Sequence, residues 1–207
     1  MLNLDIFKHI DQADIIAITE YGSFVYGTND WLSDKDYVVI VKDTITCEDQ
    51  YKLPDGDYNI FWETQFQNLL NRQCIAAIEP FFTVPLFGSM KQYTYCVDPC
   101  KLRVDVSQRS SNSYVKCKKK LTCEEGAEHA GMKSLFHSLR MLEFGYQLAT
   151  TGRINHFNSA NHFLAEIYDI GPDWEKLKER FQPIYNTMSS KFKEVAPKEV
   201  IEKPKKK

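Results

Sequence analysis

Five consecutive apolar residues, Tyr37–Val41 (YVVIV), follow directly after Asp34-Lys35-Asp36, and this junction constrains the fold of the 207-residue chain more than any other feature. A short run that is rich in Val and bounded by charged residues is typical of a buried β-strand. In an extended chain, residues i and i+2 point to the same side, so Asp34 and Asp36 are predicted to project together. The junction therefore places two carboxylates at the entry to a central strand.

Two further strands are predicted on either side of this run. Residues 14–21 (DIIAITEY) are rich in Ile and end at Gly22, and residues 57–62 (DYNIFW) follow a Pro-Asp-Gly turn. A short helix is expected within residues 2–12, and the spacing of Phe66, Leu69 and Leu70 indicates another. Pro80 and Pro85 are expected to break the apolar stretch around them.

The second half of the chain has helical periodicity. Its apolar spacing predicts a long helix from about residue 124 to 151 that stops at Gly152, then a helix over 160–168 and a last helix that Pro183 bends or splits. The predicted class is α+β: a small mixed β-sheet core with helices over residues 1–90, then an α-helical C-terminal half over residues 91–195. Residues 196–207 are predicted to be a flexible Lys-rich tail.

Charge and composition exclude several classes of protein. The chain has 43% hydrophobic and 26% charged residues, which are ordinary globular values. No apolar run approaches the roughly 18 residues of a membrane span, and the N-terminal segment lacks a signal-peptide core, so a cytoplasmic protein without a membrane partner is expected. The last 17 residues carry a net charge of +4, which leaves −6 on the remainder. An acidic body disfavours general binding of nucleic acid.

The segment from Tyr21 to Asp36 carries the candidate chemistry. Gly22 lets backbone approach a phosphate closely, and Ser23 adds a hydroxyl donor. Asp34 and Asp36 repel each other unless a cation lies between them, and hard oxygen ligands of this kind suit Mg²⁺, with Mn²⁺ as a second candidate. Asp57 supplies a third carboxylate if its strand is a neighbour. Three carboxylates and a phosphate cradle are what two-metal phosphoryl transfer requires.

The run YGSFVYGTNDWLSDKDY, followed by the YVVIV strand, resembles the DNA polymerase β-type nucleotidyltransferase superfamily. Within it, the run is similar to the predicted bacterial and phage nucleotidyltransferases that are termed RNA-ligase-associated. The likeness continues from Asp57 to Glu79 and returns in residues 131–154. The resemblance implies transfer of a nucleoside monophosphate from an NTP, most readily ATP, to a hydroxyl of an RNA end, a protein or a small molecule, with release of pyrophosphate. The oligomeric state stays open.

The chain departs from this family at Asn59, where a second acidic strand residue is usual. A basic stripe of Lys133, His137 and Arg140, spaced i, i+4 and i+7 on the long helix, is predicted to contact nucleotide phosphates. His137 is expected to contribute mainly below neutral pH, where its imidazole is charged. A solvated helix face is the alternative explanation of the stripe.

Two other functions are compatible with the sequence. The first is a nucleic-acid-binding module that uses the KCKKK run at 116–120 and the Lys-rich end, with zinc held by Cys96, Cys100, Cys117 and Cys123. The second is a catalytically silent relative that acts as an interaction protein, which the Asn59 departure favours.

Overall fold

The computed structural model describes residues 4–31 and 33–198, which form a mixed five-stranded β-sheet and seven α-helices. The strands are β1 (Ile15–Tyr21), β2 (Asp36–Val41), β3 (Gln50–Leu53), β4 (Gly56–Trp62) and β5 (Pro85–Gly88). The helices are α1 (Ser23–Tyr26), α2 (Glu63–Asn71), α3 (Ile75–Phe81), α4 (Pro99–Cys123), α5 (Glu128–Thr151), α6 (Asn161–Ile170) and α7 (Trp174–Val195). The predicted α+β class, with a helical C-terminal half, is confirmed.

The sheet has the strand order β3-β4-β2-β1-β5. Strand β2 is central: it pairs antiparallel with β1 and parallel with β4. The three strands predicted from apolar runs are confirmed as β1, β2 and β4. The two four-residue strands at the sheet edges, β3 and β5, were not predicted because each has too few apolar residues to show a period.

The two faces of the sheet are covered differently. One face packs against the first residues of the chain in a core formed by Leu4, Ile6, Ile10, Ile18, Tyr37, Val39, Val41, Tyr58 and Ile60. The opposite face packs against α2 and α3, which bury Phe66, Leu70, Ile75 and Ile78. The predicted N-terminal helix is instead two short 3₁₀ helices, Asp5–Lys8 and Gln12–Asp14. Pro80 lies inside α3 and does not end it, whereas Pro85 opens β5.

The chain divides into two compact units. The first contains the chain through Cys96 together with Arg153–Asn161, and the second contains Val97–Gly152 and the chain from His162 onward. The division falls close to the predicted boundary at residue 90, but the return of 153–161 to the first unit was not foreseen. This segment is held there by the Asn161 side chain, whose Nδ2 donates to the carbonyl of Tyr26 at 2.7 Å. The predicted tail falls mainly on residues 199–207, which lie outside the described residues.

The second unit is built around the pair of long helices α4 and α5. The Ser110 hydroxyl of α4 donates to the carbonyl of Ser138 in α5 at 2.8 Å, and α7 packs against both helices. The predicted long helix is confirmed, but it begins at Glu128. Helix α4 was not predicted because its exposed positions are rich in Ser, Lys and Arg. Helix α7 continues through Pro183, so the alternative that the proline splits the helix is wrong. Buried residues lie on both sides of the proline: Trp174, Leu177, Phe181 and Phe192.

The zinc site of the nucleic-acid-binding alternative is contradicted by α4. Cys100, Cys117 and Cys123 lie on this one straight element, and at 1.5 Å per residue the first two are about 25 Å apart. Burial also raises the pKa of the Cys117 thiol to about 12, which disfavours the thiolate that zinc requires. None of the helices in residues 4–31 and 33–198 combines the length and the hydropathy that a membrane-spanning helix needs.

Candidate functional site

Four polar side chains line up across the sheet where β2 begins. Asp36 of β2 is the register partner of Tyr21 in β1 and of Asp57 in β4, and Asp57 is in turn the partner of Lys52 in β3. Register partners on paired strands project to the same face, and neighbouring strands lie about 4.8 Å apart. These four residues are called the cross-strand row below. The register brings Asp36 and Asp57 together, as the sequence predicted for neighbouring strands.

The backbone of Gly22 is in contact with the Asp36 carboxylate. Gly22 has a φ of 78° and caps the four-residue helix α1, and a β-carbon added there would overlap Oδ2 of Asp36. Both the conformation and the close approach require glycine at this position. Ser23 follows at the first position of α1 with its side chain half-buried. The predicted Gly22-Ser23 phosphate cradle therefore lies directly against one of the predicted metal ligands.

Backbone contacts fix the position of Asp57. Its amide donates to the carbonyl of Lys35 at 2.8 Å, and Gly56, with a φ of 149°, lies too close to that carbonyl to accept a side chain. The Asp57 carboxylate forms an ion pair with Nζ of Lys52 at 3.3 Å. Lys52 is 75% exposed, so this counterion is held only weakly and a stronger cation can displace it.

Asp34 is placed differently from Asp36. It is exposed and lies before the first residue of β2, after a turn in which the Ser33 hydroxyl donates to the Asp30 carboxylate at 2.8 Å. Asp34 and Asp57 both line an open cleft of about 460 Å³, together with Phe24 and Lys52. The structure thus brings Asp34 to the same cleft as Asp57, although Asp34 is not part of the cross-strand row.

A polar group around Tyr21 was not identified from the sequence. Asn59 Nδ2 donates to the Tyr21 hydroxyl at 2.8 Å. Burial, followed by the charges of Asp36, Glu79 and Asp57, raises the pKa of Tyr21 well above its usual value. Glu79 is buried on α3 and accepts a hydrogen bond from the hydroxyl of Tyr26. An isolated Glu in an apolar helix has no periodic pattern of its own. The feature of the sequence that pointed to Glu79 was the family resemblance, which extends from Asp57 to this residue.

The residues fit a divalent cation whose coordination is completed by oxygens of the substrate. Within residues 4–31 and 33–198, no three Asp, Glu, His or Cys side chains converge as a ready-made metal site. Mg²⁺ is commonly bound through one or two carboxylates and the oxygens of substrate phosphates. Asp36 and Asp57 supply such a pair, and the backbone of Gly22 lies against the first of them.

The predicted basic stripe belongs to the second unit, and its members differ in exposure. Lys133 is exposed, His137 is partly buried, and Arg140 is only 8% exposed. Arg140 Nη2 donates to Nδ1 of His137 at 2.8 Å, and its guanidinium lies over the rings of Phe136 and Phe144. The solvated-face explanation is therefore wrong for Arg140. Its predicted contact with phosphate stays a prediction.

The expected role of His137 below neutral pH is wrong. Burial, with the positive charges of Arg140, Arg109 and Lys116, lowers the pKa of His137 to about 3. The imidazole is therefore neutral near and well below neutral pH, and its Nδ1 accepts a hydrogen bond from the Arg140 guanidinium.

Comparisons with solved structures give distant structural neighbours, among them two nucleotidyltransferase-type proteins. Spectinomycin adenyltransferase AAD(9) from Enterococcus faecialis, solved with ATP and spectinomycin, is 12% identical over 91% of this chain and 95% of its own, with a TM-score of 0.45. A nucleotidyltransferase-like protein from Exiguobacterium sibiricum 255-15 is 12% identical over 88% of this chain and 69% of its own, with a TM-score of 0.32. No family model and no curated protein matches the sequence. At these identities and scores, the chemistry of this chain has to be inferred from its own residues.

Proposed function

We propose that this chain is a Mg²⁺-dependent nucleotidyltransferase that moves a nucleoside monophosphate from an NTP to a hydroxyl acceptor. The observation that carries the proposal is the register of β2 and β4, which places Asp36 and Asp57 side by side while the backbone of Gly22 lies against Asp36. Two adjacent carboxylates next to a glycine turn are suited to holding a cation and the phosphates that it binds.

Each residue has a defined task in this reaction. Asp36 and Asp57, with Asp34 at the rim of the cleft, would hold the cation, and Gly22 and Ser23 would hold the terminal phosphates through backbone and hydroxyl groups. The bound ion would neutralise the charge that develops on the transferring and leaving oxygens. Mn²⁺ has the same preference for oxygen ligands and is expected to substitute.

The bond changes balance without another reactant. The acceptor oxygen forms a bond to the α-phosphorus, the bond from the α-phosphorus to the bridging oxygen breaks, and pyrophosphate leaves with that electron pair. The acceptor proton passes to a carboxylate at the site, and Asp57 is the candidate because its present partner, Lys52, is exposed and weakly held.

The test is transfer of label from NTPs. The protein would be incubated with each α-labelled NTP, Mg²⁺ and fractions of a cell lysate, and both pyrophosphate release and labelled acceptor would be measured. Chelator and Asp36→Asn are the matched negative controls. Label in RNA, protein or small molecules identifies the acceptor class, with ATP expected as the best donor. Absence of pyrophosphate release with all four NTPs and all fractions would contradict the proposal.

A further inference from the structure

The hydrogen bond between Asn59 and Tyr21 passes over the central strand of the sheet. Asn59 is on β4 and Tyr21 is on β1, and β2 lies between these two strands. Because neighbouring strands are about 4.8 Å apart, the two backbones are separated by roughly twice that distance. The 2.8 Å contact between Nδ2 and the hydroxyl therefore joins two side chains that meet above β2.

The register shows which residue lies beneath this contact. Tyr21, Asp36 and Asp57 are consecutive partners in the cross-strand row, and Asn59 is the partner of Val38 in β2. Asn59 is two residues beyond Asp57 on the same strand, so both side chains project to one face. The contact between Tyr21 and Asn59 thus runs diagonally over the segment of β2 that begins with Asp36.

The polarity of the contact determines what the phenol can do. A tyrosine hydroxyl has one proton to donate and lone pairs to accept. The Asn59 amide donates, so it occupies a lone pair and leaves the proton of Tyr21 for a different acceptor. A tyrosine phenol carries its proton near neutral pH, and the register partner of Tyr21 on the same face of the sheet is Asp36. A protonated phenol among carboxylates is a hydrogen-bond donor to them.

We propose that Tyr21 and Asn59 are a positioning pair for Asp36, an inference that rests on the proposed nucleotidyl transfer. Asn59 fixes the phenol of Tyr21, and the phenol donates its proton to the Asp36 carboxylate and sets the orientation in which that carboxylate meets a cation. An Asp at position 59 would add a negative charge to a region that already contains Asp36, Asp57 and Glu79. The amide supplies a neutral donor instead, so the departure at position 59 is part of how this site is built.

Binding of Mn²⁺ with a non-hydrolysable NTP analogue, followed by electron paramagnetic resonance, tests the pair without turnover. Tyr21→Phe keeps the ring and removes the hydroxyl, and it is expected to weaken Mn²⁺ binding about tenfold, as is common when a residue behind a metal ligand is removed. Asn59→Leu is expected to have a similar effect because it releases the phenol. The double variant should be no weaker than Tyr21→Phe alone, since both changes remove one function.

Tyr51→Phe is the matched control. Tyr51 is on β3, where its hydroxyl accepts the backbone amide of Glu48 at 3.2 Å, and it is not in the cross-strand row. It should leave Mn²⁺ affinity within twofold of wild type. If Tyr21→Phe also stays within twofold, or if the two single effects simply add, the positioning pair is overturned.

The same measurement separates the two proposals. A wild-type protein that binds the Mn²⁺–nucleotide complex but transfers no label overturns the proposed reaction while the binding cycle still decides the role of Tyr21. A wild-type protein that transfers label, with Tyr21→Phe and wild type equal in metal affinity and in kcat, overturns only the positioning pair. A wild type that binds no Mn²⁺–nucleotide complex overturns both.

Discussion

The carboxylates of the cross-strand row and the Arg140–His137 pair are the two prominent charged clusters of the molecule, one in each unit. Asp36 and Asp57 are held by strand register and are half-buried, and Asp57 has a weak counterion in Lys52. Arg140 is buried, hydrogen-bonded by a neutral His137 and covered by aromatic rings. The first arrangement presents two neighbouring carboxylates that a bound cation can neutralise. The second places one cation against a neutral imidazole and aromatic rings, so it is suited to stability as much as to binding.

The largest expected effect is that of Asp36→Asn on nucleotidyl transfer. Loss of the charge that holds the cation should lower kcat by at least about 10³-fold, because such an ion stabilises the transition state by several kcal/mol. The free energy of unfolding should stay the same or rise, since a repulsion is removed. Pyrophosphate release and urea unfolding measure the two quantities. Asp169→Asn, on the exposed face of α6, is the control. An Asp36→Asn variant that keeps a tenth of wild-type activity would contradict the role of Asp36 in holding the cation.

Gly22→Ala should have the next largest effect, a decrease of roughly a hundredfold in kcat/KM. Its β-carbon would displace the Asp36 carboxylate, and a displacement of about 1 Å at a reacting site can cost that much. Gly126→Ala is a matched control, because Gly126 also has a positive φ, 72°, but open space around it. From the backbone alone, both variants should lose about 1–3 kcal/mol of stability, because each places a β-carbon at a positive φ. Equal activities of the two variants would show that the contact with Asp36 is irrelevant.

Arg140→Met tests whether the buried guanidinium stabilises the second unit. Removing the guanidinium leaves Nδ1 of His137 without its donor in a buried position, so the free energy of unfolding should fall by about 2 kcal/mol. Lys133→Met, on the exposed part of the same helix, should change it by less than about 0.5 kcal/mol. Urea unfolding measures both. Equal effects would mean that Arg140 does not stabilise the second unit.

The free energy of unfolding should depend on pH through the protonation of His137. Its pKa in the folded protein is lowered to about 3 from the ordinary value of 6.5, so between these values the unfolded chain binds a proton that the folded protein does not. The contribution of His137 is therefore complete above about pH 6.5 and is lost as the pH falls towards 3, by up to about 1.4 kcal/mol per pH unit. In His137→Gln this part of the slope should disappear from urea unfolding measured between pH 6.5 and 4. An unchanged slope would contradict the lowered pKa.

The smallest effect is expected for Lys52→Met. The exposed ion pair with Asp57 competes only weakly with a metal ion, so its removal should tighten binding of a Mn²⁺–nucleotide complex by about threefold. Lys42→Met is the control, because Lys42 forms an ion pair of the same length, 3.3 Å, with Asp14, which is not in the cross-strand row. Weaker binding by Lys52→Met would instead indicate that Lys52 contacts the phosphates.

The sequence predicted the elements that have a strong period and missed those whose formation depends on neighbours. The apolar runs before Gly22 and after Asp36 identified β1 and β2. The proximity of Asp36 and Asp57 was predicted only on the condition that their strands are neighbours, which the pairing of β2 with β4 fulfils. Helix α4 was missed because its apolar residues form only a narrow stripe against α5. The contact between Tyr21 and Asn59 depends on the strand order, which no local pattern encodes.

The burial of Arg140 could not be predicted from helical spacing alone. Spacing placed Lys133, His137 and Arg140 on one stripe, but exposure along that stripe depends on which elements pack against each turn of α5. The helix packs against both α4 and α7, and α4 carries the Arg109 and Lys116 whose charges act on His137. Because helix α4 was not predicted, the environment of His137 and Arg140 could not be predicted either.

The return of Arg153–Asn161 to the first unit has a consequence for how the protein is made. The segment that hydrogen-bonds Tyr26 is separated from Cys96 by the whole α4–α5 hairpin, so the ribosome must complete that hairpin before the unit bearing the carboxylates has all its parts. At about 5–20 residues per second, the stretch from Val97 to Asn161 takes roughly 3–13 s to synthesise. During that interval the hairpin can form from contacts between neighbouring helices, whereas the first unit still lacks the segment that hydrogen-bonds Tyr26. A gene fragment that stops after Cys96 would leave the backbone of Tyr26 without the Asn161 side chain that holds it.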